Sequence, residues 1–207
     1  MADHIINLYE RYADEWDADR GRLLIERIWL ERFRGVAPPA SAILDVGCGS
    51  GEPIASYLIE QGHPVTGIDS SPTLIRMCRQ RFPAQDWRIC DMRQLDLGRT
   101  FGGILAWDSF FHLSPADQRN MFKVFRAHAT SSTALIFTSG ADHSEVFGQY
   151  RGEPLYHGSL SAEEYRYLLH ENGFEVVSHL AEDPTCGSIR FGLRGSSSRV
   201  SLHVTLA

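Results

Sequence analysis

The sequence predicts an α/β protein built on a doubly wound, mostly parallel sheet. Three observations carry this. Short apolar runs alternate with helix-period segments from Ala42 to Thr138, and strands joined by crossover helices pair in parallel. The first run, Ala42 to Val46, opens onto Gly47, Gly49 and Gly51 and then a helical pattern, the order of a ligand-binding strand, turn and helix. Acids follow three of the runs, at Asp69, Asp91 and Asp108. Open α/β sheets hold ligands outside those strand ends.

Composition bounds the function. Residues 1–207 read as a single domain, large enough for a real core. Twenty Lys and Arg against 26 Asp and Glu give a net charge of −6, which disfavours a nucleic-acid partner. No apolar run reaches membrane-spanning length, and MADHIINLYE lacks the pattern of a signal peptide. The four cysteines form no C-x-x-C, so they read as reduced thiols of a cytoplasmic protein. Nine histidines without metal-ligand spacing predict no metal site.

In chain order, Ile5, Tyr9, Tyr12 and Trp16 form one helical stripe, and Ile25, Ile28, Trp29 and Phe33 a second that ends at Gly35 and Pro38-Pro39. After the glycine turn, Ile54, Tyr57 and Leu58 mark a helix. Val65 to Ile68 is the second strand, ending in Asp69. An acid there suits two ribose hydroxyls, and Ser71-Pro72 independently supplies the cap of the next helix. Trp87 to Cys90 is the third strand, Gly103 to Ala106 the fourth and Ala134 to Thr138 the fifth, with a helix capped by Ser114-Pro115 before the last. The stretch 141–160 has no clear period and is expected to be a polar loop. Ser161-x-x-Glu164 is a capping box opening a helix that ends at Asn172-Gly173. Phe174 to Leu180 is the sixth strand. Two alternating segments, Ile189-Phe191-Leu193 and Val200 to Leu206, compete for the seventh.

The glycines read G-x-G-x-G, and Glu52 stands where a dinucleotide fingerprint needs glycine. With Asp45 two residues before the first glycine, a diphosphate is disfavoured and a sulfonium or ammonium favoured. LDVGCGSG resembles motif I of the class I S-adenosylmethionine (SAM) dependent methyltransferases, and the order of the following segments fits that family over roughly the first 180 residues. The resemblance implies a seven-stranded sheet with an antiparallel C-terminal strand.

It also implies a site. Tyr9-Glu-Arg-Tyr-Ala-Asp-Glu-Trp16-Asp17 matches a segment that covers the SAM pocket in related small-molecule enzymes, making 1–37 a helical lid. Asp91 and Met92 would meet adenine, and the carbonyl of Trp107 the SAM ammonium. Arg20 would pair with the methionine carboxylate or stand solvated. The cofactor-binding candidates are Asp45, Gly47, Cys48, Gly49, Asp69, Ser70, Asp91, Met92, Trp107, Trp16 and Arg20. Asp108 would orient the ammonium or the acceptor. His112 is the titratable residue best placed for a general base, an inert hydrogen-bonded histidine being the other reading. Tyr156 and His157, in the expected acceptor loop 141–160, complete the catalytic candidates. The function that follows is in-line methyl transfer from SAM to a small molecule, by a monomer or homodimer. An RNA methyltransferase, a non-catalytic SAM-binding protein and an NAD-dependent oxidoreductase stay open as alternatives.

Overall fold

The computed structural model describes residues 2–140, 142–181 and 200–206. The chain opens with three helices, α1 (Ala2–Arg11), α2 (Ala13–Arg20) and α3 (Arg27–Val36). The expected single stripe from Ile5 to Trp16 is broken at Tyr12, whose φ of −111° and ψ of 28° leave the helical region. The second stripe is also rotated: Trp29, Leu30 and Phe33 are buried, whereas Ile25 and Ile28 are exposed.

Then follow β1 (Ile43–Val46), α4 (Ile54–Glu60), β2 (Val65–Asp69), α5 (Pro72–Arg81), β3 (Asp86–Ile89), β4 (Phe101–Ala106), α6 (Pro115–Ala127) and β5 (Ala129–Gly140). These strands pair in parallel in the order β3-β2-β1-β4-β5. The order reverses between β1 and β4, so the loops after these two strands diverge and leave a crevice. Strand periodicity divides the core. Ile43, Leu105 and Ile136 pack on one face with α3, α4 and α5. Leu44, Ile104 and Leu135 pack on the other with α6 and the next helix, α7 (Ala162–Glu171). The serines expected to cap α5, α6 and α7 do so: Ser71, Ser114 and Ser161 accept from the amides of Leu74, Asp117 and Glu164.

The stretch expected to be a loop is a hairpin of β6 (Ser144–Tyr150) and β7 (Glu153–Ser159), a separate antiparallel pair. Its two-residue turn is Arg151-Gly152, both at positive φ (51° and 84°). That is a primed hairpin turn, built without the usual Asn or Asp before the glycine. The hairpin docks on α1, with Ile5 and Leu8 buried against Tyr150, Leu155 and Tyr156. Hydrogen bonds frame the contact: Arg11 and Tyr12 donate to Glu153 (2.5 and 2.9 Å), and Arg151 and Tyr150 donate to Asp19 (2.6 and 3.1 Å).

Beyond α7 come β8 (Glu175–Ala181) and β9 (Val200–Leu206), and β9 pairs antiparallel with both β5 and β8. The Cys186-Gly187 turn and the Ile189 to Leu193 candidate strand lie outside the described residues. Among the described residues no helix is long and apolar enough to cross a membrane.

Candidate active site

The cleft lies at the carboxyl ends of β1, β2, β3 and β4 and encloses about 700 Å³ including its open mouth. Its floor is the turn after β1. The amides of Gly47 and Cys48 both donate to the carbonyl of Ile68 (2.8 and 2.9 Å), which folds the turn toward β2. Gly47 and Gly49 sit at positive φ (78° and 55°). A Cβ on Gly47 would come within 2.3 Å of Ser109, and one on Gly49 within 2.7 Å of the Trp16 ring. Only bare backbone fits beneath these side chains, so the turn presents main chain to the cleft.

Acids ring that floor. Asp69 accepts from the amides of Gly49 (3.0 Å) and Ser71 (2.9 Å) and borders the cleft with Ser70. Burial raises its pKa, against the pull of those amides. Asp91 borders the cleft and caps the short turn Met92–Gln94. Burial alone would raise its pKa, but the Arg93 guanidinium, forked onto it at 2.5 and 2.9 Å, holds it low. Asp108 follows β4 with a φ of 50°, its amide donating to the Thr138 hydroxyl (2.8 Å). Burial, with the charge of Glu26 adding, pushes its carboxyl up to about 7. Arg93 is the one cationic side chain bordering the cleft among the described residues, and it is engaged by Asp91 and Asp3.

The remaining wall is formed by the first two helices and a histidine. Ile5, Ile6, Tyr9 and Trp16 close the cleft from α1 and α2. The Tyr9 hydroxyl lies 2.8 Å from Nε2 of His112, and Nδ1 of His112 lies 2.9 Å from the carbonyl oxygen of Tyr156. Burial, helped by neighbouring His157, pushes His112 down to about 3. Burial, helped by the charges of Asp108 and Asp69, pushes the Tyr9 phenol well above its usual value.

Of the residues expected from sequence, Gly47, Gly49, Asp69, Ser70, Asp91, Met92, Trp16, Asp108 and His112 converge on the cleft. The others stand outside its wall, each for a local reason. Cys48 is buried in the core, its thiol 3.7 Å from the carbonyl of Gly49. Asp45 is buried on β1, where desolvation and the Asp69 charge raise it to about 7. The Trp107 side chain packs in the core. Arg20 is paired with the buried Glu26 rather than poised over the cleft. The Tyr156 ring is buried, its hydroxyl donating to Glu145 (2.7 Å). The His157 ring lies behind, 5.0 Å from His112 and 5.2 Å from Phe111. Tyr12 turns from the cleft to Glu153 because the helix breaks there.

The sequence reading did not single out Arg93, Glu26 or the pairing of Tyr9 with His112. The signal for Arg93 is its position two residues after a capping aspartate. Nothing local in the sequence joins Tyr9 to a histidine 103 residues away.

Residues 43–131 match the family model of a methyltransferase domain. The chain is 30% identical over 166 residues to an O-methyltransferase of Pyrenophora dematioidea, an alignment covering 75% of this chain and 62% of that protein. It is 26% identical over 178 residues to the dTDP-3-amino-3,4,6-trideoxy-alpha-D-glucopyranose N,N-dimethyltransferase of Streptomyces venezuelae, covering 84% and 65%. The chain therefore spans just under two thirds of the length of these two relatives. Among solved structures it superposes on the Burkholderia thailandensis 1,6-didemethyltoxoflavin-N1-methyltransferase, crystallised with S-adenosylhomocysteine (SAH), with a TM-score of 0.72 at 17% identity, over 97% of this chain and 85% of that one. The fold is that of the class I SAM-dependent methyltransferases. Within it, residues 43–131, from β1 into β5, carry the methyltransferase-domain signature.

Proposed function

We propose that this chain transfers a methyl group from SAM to a small-molecule acceptor. The observation that carries the reading is the cleft itself, a bare-backbone turn ringed by acids, where the one cation bordering it among the described residues is already paired. A nucleoside bearing a sulfonium and an ammonium fits that charge pattern, whereas the diphosphate of NAD opposes it. Bound SAM supplies a methyl already activated on sulfur, so the protein's work is alignment and exclusion of water.

In this reading Asp69 accepts the ribose hydroxyls. Asp91 and Met92 border the adenine end, and the turn 47–49 and Asp108 serve the amino-acid and sulfonium end. Residues 1–37 are the lid, and the hairpin within 141–160 faces the acceptor side of a single domain, 1–207. The pairing of β9 with β5 and β8 supports the expected seven-stranded sheet. Free thiols at Cys48, Cys78 and Cys90 suit a cytoplasmic setting. The chain acts as a monomer or homodimer. The two sequence relatives are named for oxygen and for amino-sugar nitrogen acceptors, which supports small-molecule methylation without choosing the element.

Calorimetry tests the reading. SAM and SAH are expected to bind and NAD not. Asp69→Ala and Gly49→Val are each expected to abolish binding, the second because its Cβ would collide with Trp16. Normal affinity in either variant would remove the site assignment.

A further inference from the structure

The wall formed by Tyr9 and His112 has a fixed proton polarity. The carbonyl of Tyr156 can only accept, so the Nδ1 atom facing it at 2.9 Å carries the imidazole proton. Nε2 of the neutral ring is then an acceptor, and the Tyr9 hydroxyl donates to it at 2.8 Å. The single phenolic proton is spent inside the wall. Tyr9 borders the cleft, and with its proton given to His112 its oxygen can only accept from a ligand there. An acceptor group docking there must itself bring the hydrogen.

The same wall holds no base for a hydroxyl. His112 has both nitrogens engaged, and its ring is flanked by Tyr9, Phe111 and His157 rather than by a carboxylate. Burial keeps it neutral, well below the usual histidine range. The Tyr9 phenolate is opposed by burial and by Asp108 and Asp69. Asp108 borders the same cleft, where a negative charge would favour a cationic donor. A hydroxyl has no nucleophilic strength until its proton leaves, whereas a neutral amine attacks with its own lone pair.

Resting on the methyl-transfer reading, we infer that the acceptor is a primary or secondary amine, held by an N–H···O bond to the Tyr9 hydroxyl oxygen and methylated without an enzymic base. The amine lone pair forms the new N–CH3 bond as the S–CH3 bond breaks and leaves its electron pair on sulfur. The resulting ammonium passes its proton to water. His112 is a positioning residue that turns the Tyr9 hydroxyl.

The test uses the full chain, SAM with a deuterated methyl, and a panel of amino alcohols from 2-aminocyclohexanol to amino sugars, each offering N–H and O–H on one skeleton. The label is expected on nitrogen. The acidic limb of kcat/KM is expected to move with the pKa of each probe's amine. Tyr9→Phe, which keeps the ring, is expected to raise KM for the amine about tenfold, the worth of one hydrogen bond. Independently of turnover, nitrogen NMR of the SAH complex should find His112 as the Nδ1–H tautomer, with its Nε2 resonance shifted in Tyr9→Phe. Label on oxygen overturns the proposal. So does a limb fixed at one pH for every probe (a base such as Asp108), an Nε2–H tautomer, or no labelled amine while SAH binds. Failure of wild-type protein to bind SAH overturns the underlying methyltransferase reading instead.

Discussion

Glu10 latches α1 to α5. It projects from α1 onto the first turn of α5, where it accepts from the Ser71 hydroxyl, the Thr73 amide (3.1 Å) and the Thr73 hydroxyl (2.8 Å). Two of the donors lie in that helix's first turn, where its dipole also favours a negative charge. Hydrogen bonds to a charged group contribute about 1.5–3 kcal/mol each when buried. Glu10 is only partly buried, so solvent screening reduces the set to about 2 kcal/mol in total. Glu10→Ala should therefore raise the opening equilibrium of α1 roughly 30-fold. Glu10→Gln keeps an acceptor and loses the charge, so it should raise opening about fivefold. Helix α5 stays capped in both, because Ser71 still accepts from Leu74. Burial would raise the Glu10 pKa, but the hydroxyl and amide donors of Ser71 and Thr73 override it and hold it low. A depressed carboxylate stabilises above its unfolded value and loses that contribution as pH falls through its folded one. The latch is thus complete near neutrality and is lost below the ordinary glutamate range. Hydrogen exchange of peptides from residues 2–20, followed at pH 7, measures the effect. Exchange of α1 unchanged in Glu10→Ala would refute the latch. An equal loss of protection in α5 and the central strands would show general destabilisation instead.

Two further outcomes follow from buried polar groups. Asp45 and Asp108, both pushed up to about 7, chiefly by burial, are partly protonated in the free protein at neutral pH. A cationic donor favours their charged forms, so binding should release protons and SAM affinity should rise several-fold from pH 6 to 8. A binding enthalpy at pH 7 that is the same in phosphate and Tris would contradict this. Gln118, fully buried, donates to the carbonyls of Leu113 and Gly158 (2.9 Å each) and accepts from the Tyr165 hydroxyl (2.6 Å). Gln118→Leu removes these three bonds from a buried site, at a cost of about 2–4 kcal/mol. The midpoint of thermal unfolding should drop by roughly 10 °C, and an unchanged midpoint would contradict the accounting.

The parallel strands were legible because their pattern is local. Ile43 and Leu44 are both apolar because both faces of β1 are covered, and the serine caps announce their helices within four residues. Strand-end positions such as Asp69 and Asp91 were legible for a related reason: topology alone carries the loops after parallel strands to one edge. The hairpin was not legible. Its strands carry glycines and polar residues on both faces, and Arg151 is an unusual residue at positive φ. Side-chain direction was the least legible property. Arg20 turns to Glu26, the Tyr156 hydroxyl to Glu145 and Tyr12 to Glu153, and no periodicity encodes such choices.

The seam between the first twenty residues and the hairpin has a consequence for exchanging parts of the chain. Glu153 takes Arg11 and Tyr12, while Asp19 takes Tyr150 and Arg151, so each segment supplies an acid that the other answers. The two segments, far apart in the sequence, are thus coupled as one structural unit. A graft of the hairpin alone from a relative would arrive with the wrong counterpart. A graft of both parts together would leave the strand-end acids of the sheet untouched. Replacement of either segment is expected to require matched replacement of the other, while the parallel sheet stays unchanged.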